Sequence, residues 1–279
     1  MKDLSQKALL TNLTISHWTA RKYDKKVSQK IEQEHNAHNA GRFNRILIAE
    51  EELQATKRIA GTAREFLYTN TLPWGDNGDR LLPASNYFEF ISVMRRHKSE
   101  FEVCSEKFIL QYPLLKDEAR QRLNGLFQEE DYPPVDIIRR KFGMNLTFMP
   151  ISDIADFRLQ VDADEVASLR SDIETEIHAR INQANLSILT RIRDAVAHMV
   201  ERLSDQNAVF RDSLVENIKE LLEVLPRLNF TGDKEISAIL YSMTDLIVDP
   251  DTLRNNDNIR HQKAEKALAI LARVNDFLS

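Results

Sequence analysis

Arg21, Lys22, Lys25, Lys26 and Lys30 lie within residues 21–30, and Arg42 and Arg45 follow a polar stretch with Phe43 between them. Cations at this density can neutralise phosphates, and an aromatic ring beside them can stack on a base. The segment is therefore a candidate nucleic-acid contact. Two more basic runs, Arg95-Arg96-His97-Lys98 and Arg139-Arg140-Lys141, also adjoin aromatic residues. The first segment carries Asp24, Glu32 and Glu34 as well, and mixed charge of this kind ordinarily forms a solvated, salt-bridged face. The aromatic residues Phe88, Phe101 and Phe108 are expected in the core.

Other chemistry finds little support. His35 and His38 stand three apart in EHNAHNAG, but Asn36 and Ala37 lie between them and the segment breaks toward Gly41. A zinc site would need a third ligand nearby, so no metal is expected. There is no G-x-S-x-G elbow and no glycine-rich phosphate loop. GDNGD at 75–79 lacks the ligand order of a calcium loop. Cys104, the one cysteine, sits between Phe101 and Phe108 and reads as a small buried thiol. No catalytic residue and no cofactor is assigned, and the chain is expected not to be an enzyme.

The stretch TLPWGDNGDRLLPAS is the densest cluster of Pro, Gly, Asn and Asp in the chain, and reads as a structured loop over 71–86. Trp74 on such a loop could be a partner-contact residue, with Asp76 and Arg80 beside it. Alternatively Trp74 plugs the core while Arg80 pairs with Asp76 or Asp79.

The elements that must carry these residues follow from composition and period. The chain has 279 residues, 42% hydrophobic and 29% charged, with only 7 Gly and 8 Pro. That is too few turn residues for an all-β protein, and the fold class expected is mostly α. Residues 8–18 and 145–149 read as short strands that could pair, and 21–33, 46–69 and 85–110 read as helices. A further helix would open at Pro113. This makes 1–150 an α+β domain, net +3 from 23 Lys/Arg against 20 Asp/Glu, whereas 151–279 has 15 against 23, net −8.

From Asp162 to Ser204 there is neither Gly nor Pro, and Val166, Ile177, Ile188 and Met199 recur every eleven residues. A linker and long helix are expected over 151–204, opening at Asp162 in a capping box. Its early apolar stripe is narrow and predicts a seam of Leu169, Ile173, Ile177 and Ile181 that carries self-association. A fold-back onto the first domain would satisfy the same stripe. Residues 205–279 read as shorter amphipathic helices, one of them stopping before Pro226, that form a C-terminal bundle with the end of the long helix.

Four segments, TISHWTARKYDKKV, LPWGDNGDRLLPASNY, LNGLFQEEDYPP and FMPISDIADFRL, resemble a family of uncharacterised proteins of tailed bacteriophages and prophages. The resemblance covers mainly residues 10–160. It implies phage origin and the cytoplasm of the bacterial host, with no catalytic residues to carry over. The function expected is a self-associating phage accessory protein acting as an interaction or assembly module, with a phage or host protein as further partner and no membrane association. The alternative is a nucleic-acid-binding factor for phage replication or recombination, using the basic residues of the first 45.

Overall fold

The computed structural model describes residues 4–151, 163–205 and 208–279. Along the chain run α1 (Leu4–Lys7), β1 (Ala8–Ser16), β2 (Arg21–Tyr23), α2 (Lys25–Glu34) and β3 (Asn44–Ile46). A 3-10 turn at Glu50–Leu53 leads into α3 (Gln54–Asn70), followed by β4 (Leu72–Pro73), β5 (Arg80–Pro83) and α4 (Tyr87–Leu123). Next come α5 (Val135–Arg139), β6 (Gly143–Pro150) and α6 (Ala163–Ser204). The chain closes with α7 (Ser213–Leu228), α8 (Lys234–Thr244), α9 (Pro250–Asn255) and α10 (Asp257–Leu278). The fold is mostly α with little sheet, as the scarcity of turn residues requires.

One sheet has the order β4-β5-β1-β6, so the two strands expected from composition lie side by side as β1 and β6. The segment read as a loop supplies β4 and β5. These antiparallel strands are two and four residues long, and the turn residues between them dominate the local pattern. β5 pairs antiparallel with β1, Ala8 opposite Pro83 and Thr11 opposite Arg80. A second sheet pairs β2 with β3, Lys22 opposite Arg45.

Four helix boundaries differ from the sequence reading. Arg21 and Lys22 are in a strand, because Asp24 caps α2 by accepting from the Val27 amide at 3.0 Å and the helix begins only at Lys25. α3 starts at Gln54, since Ile46 is engaged in β3. α4 and α7 run through Pro113 and Pro226. A proline removes one amide donor, but Ile109, Tyr112, Leu115 and Ala119 keep the inner face of α4 buried on both sides of it.

The contacts divide the chain into two compact units that interleave in sequence, instead of the linear division at 150 and 204. Unit 1 comprises Met1–Asn12, Leu67–Phe90 and Thr147–Ser279; unit 2 comprises Leu13–Phe66 and Ile91–Leu146. In unit 1, α10 and α7 pack on α6, and α8 packs on α7 and α10. The eleven-residue repeat is the reason: Ile177, Ile188 and Met199 are buried, with Ala184, Ile192, Val196 and Leu203 between and beyond them. Ala8, Leu72, Trp74 and Leu81 belong to the same core. The predicted capping residue Asp162 lies outside the described residues. In unit 2, Trp18 packs edge-on to Tyr112 (centroids 5.6 Å apart) among Leu47, Ile48, Phe108 and Ile138.

Candidate interaction surfaces

The basic residues of 21–45 separate into two groups. Arg45 is 4% exposed, which removes it from any phosphate-contacting surface. Its guanidinium lies 3.0 Å from Asp24 Oδ2 and 2.8 Å from Asp131 Oδ2, and donates to the Leu126 carbonyl at 2.6 Å and to Gln128 Oε1 at 3.0 Å. It is an internal clamp that neutralises two buried carboxylates. Arg21 pairs with Glu50, Lys30 with Glu34 at 3.7 Å, and Lys22 stands 3.9 Å from Asp131. Lys25 and Lys26, exposed in the first turn of α2, have no ion-pair partner among the described residues. Arg42 stacks over the exposed Tyr23 ring, 5.6 Å from its centroid.

Trp74 is 3% exposed and plugs the core of unit 1 together with Leu72 and Leu81. It is therefore not an open contact residue. Asp79 is held by Asn12, whose Nδ2 donates to its carboxylate at 3.0 Å, while Asp76 stays exposed. Gly78, at φ +82°, lets the turn close beside Asn12. Arg80 bonds neither Asp76 nor Asp79, contrary to expectation. Its Nε donates to Thr71 Oγ1 at 2.6 Å, Nη2 to the Thr71 carbonyl at 3.0 Å, and its plane lies 4.6 Å over Tyr68. Burial, reinforced by the neighbouring charge of Arg191, lowers its pKa to about 10.

The predicted seam meets the Trp74 loop. Ile177 is buried, and Ile173 and Ile181 are packed against the core that contains Trp74 and Ile151, all within unit 1. The fold-back onto residues of 1–150 is thus the packing found for Ile173, Ile177 and Ile181. Leu169 is half-buried and outside that core. Trp74, Ile173 and Ile177 line an open cleft of about 530 Å³, with Asp172, Glu176 and Arg180 also lining it. Arg180 is tied to Glu176 at 2.8 Å.

A further surface, masked in the sequence by a stronger apolar period, lies on the part of α4 that belongs to unit 2. Its inner face buries Met94, Phe101, Phe108, Tyr112, Leu115 and Ala119. On the opposite side Val103, Leu110 and Leu114 are 66%, 72% and 62% exposed. Their spacing of seven and four residues puts them on one stripe. The signal was present in the sequence as a second apolar period in the same helix, hidden by the stronger one. Phe101 and Phe108 are core residues as expected. Phe88 is not: it is 82% exposed, in unit 1. Cys104 is half-buried.

Among the described residues, no group of three His, Cys, Asp or Glu side chains is placed to hold a metal ion. His35 caps the end of α2, and the chain then turns through Asn36 and Asn39 in the left-handed region. No described helix is long and apolar enough to cross a membrane. No protein-family model, curated protein or solved structure matches the chain.

Proposed function

We propose that the chain is a non-catalytic interaction module of phage or prophage origin, acting in the bacterial host cytoplasm and binding protein through the outer face of α4. The observation that supports this most directly is the stripe of Val103, Leu110 and Leu114, three large apolar side chains in solvent on a helix whose other face is already buried. Exposed apolar residues gathered on one helix face mark surfaces that a partner covers. The resemblance of residues 10–160 to phage and prophage proteins supports the biological setting. Site-specific incorporation of a photo-crosslinking residue tests the reading. Position Leu110 should give protein adducts in the expressing cell, whereas the exposed position Arg58 should give none. Equal or absent labelling at the two positions overturns it.

A second reading has its own observation. Lys25, Lys26 and the Arg42–Tyr23 stack put unpaired cations beside an exposed ring, on a unit with 20 Lys/Arg against 16 Asp/Glu. Unit 1 holds 18 against 27. If this surface binds single-stranded DNA, affinity should fall log-linearly with salt, by a slope of about −0.7 per phosphate neutralised. The combined Lys25→Glu, Lys26→Glu and Arg42→Glu changes should abolish it. No binding at low salt would leave these residues as a solvated face.

A further inference from the structure

We infer that the occupant of the α4 face is a second copy of this chain, packed antiparallel about a two-fold axis. This rests on the reading of that face as a binding surface and adds the partner and its register. The argument is the distribution of charge along the stripe. Arg95 and Arg96 precede the apolar residues, and Asp117 and Glu118 follow them, all four exposed. A parallel copy would set like charges against each other; an antiparallel copy sets each basic end against an acidic end.

The register follows from the numbering. In an antiparallel two-fold pair the numbers of facing residues keep a constant sum, and every contact occurs twice. With Val103 opposite Leu110 of the second copy, Ser99 stands level with Leu114, and the pair Arg95 and Arg96 stands level with Asp117 and Glu118. Glu106, close to the axis, is held by Arg139 of its own chain. Thus one alignment pairs an apolar residue with an apolar one near its centre and brings opposite charges together toward both ends. Asp117 has its own-helix neighbour Arg120 at 3.5 Å, an exposed pair that can exchange for Arg96 without leaving a buried charge. Phe101, Phe108 and Tyr112 anchor the inner face of α4 and hold the stripe in place. Three apolar side chains per copy make a small interface, so the dimer should be reversible.

Sedimentation equilibrium of the full chain, over a wide concentration range, tests this. The wild-type protein should reach twice the monomer mass. Arg96→Glu alone and Asp117→Arg alone each place like charges across the axis twice, and should raise the dimer Kd about tenfold or more. Combining Arg96→Glu with Asp117→Arg in one chain should restore association to within about threefold of wild type. Leu110→Lys, changed at a residue already in solvent, should give monomer with an unchanged melting temperature. A wild-type monomer at about 500 µM, or a double variant no better than the singles, overturns the inference. The photo-crosslink at Leu110 separates the two failures. Adducts to a different protein without a homodimer overturn the second copy and leave the binding surface standing; no adduct at all removes both.

Discussion

Arg191 donates to the carbonyls of Tyr68, Thr69 and Thr71 at 2.8–2.9 Å, at the C-terminal end of α3. Those carbonyls have no acceptor role inside the helix, and a cation there also meets the negative end of the helix dipole. Arg80 joins it on the Thr71 carbonyl. Truncation at Arg191→Ala should therefore cost about 2–3 kcal/mol in urea unfolding, and Arg191→Lys should recover only part, because a single ammonium nitrogen lacks the planar two-nitrogen fork that spans these carbonyls. His17 offers a different residue-scale test. Burial, then the charges of Arg64 and Lys57, hold its pKa below the ordinary 6.5, so folding favours the neutral ring. The unfolded chain then binds more protons once pH falls through 6.5, and stability drops on that side. His17→Gln should flatten the fall in melting temperature between pH 7 and 5, taking about 6.5 as the unfolded value. An unchanged pH profile would show that His17 is not its source.

Two long helices use their apolar residues in opposite ways. On α6 one stripe deepens along the helix, from half-buried Leu169 to fully buried Ile188, Ile192 and Met199. Ile177→Asp should then destabilise the protein by about 3–5 kcal/mol, because an aspartate would be placed in the core of unit 1 without a partner. Leu169→Asp should cost less than about 1 kcal/mol. Similar losses at the two positions in urea titrations would contradict this packing. On α4 the apolar residues form two stripes on opposite sides, and one of them faces solvent. Burying the inner stripe fixes the helix, whereas Val103, Leu110 and Leu114 on the outer one stay in solvent.

At the scale of the molecule, the two compact units do not correspond to halves of the chain. Ala8, Leu72, Trp74 and Leu81, from the first 150 residues, share a core with α6, α7, α8 and α10. A fragment ending at Pro150 would expose that apolar surface. Unit 2 lies wholly within that fragment, which should keep the near-UV circular dichroism of Trp18, Phe108 and Tyr112, lose that of Trp74, and bind a dye for exposed apolar surface. A fragment 1–150 that keeps the Trp74 signal and binds no such dye would instead establish a linear domain.

The sequence by itself determined the fold class and the long helix, and it marked the strands read at 8–18 and 145–149 that run side by side as β1 and β6. Each of these depends on a local period, a cap or a run of β-branched residues, and such signals act over a few turns. Tertiary structure decided what each face touches. Ile173 and Ile177 have the spacing of a coiled-coil seam whether a second copy covers them or Trp74 does. Arg42 and Arg45 look alike three residues apart, yet Asp131, from a distant part of the chain, converts one into an internal clamp and leaves the other over Tyr23. Burial is set by contacts between residues far apart in sequence, and a helical period marks which residues share a face without naming what lies opposite it.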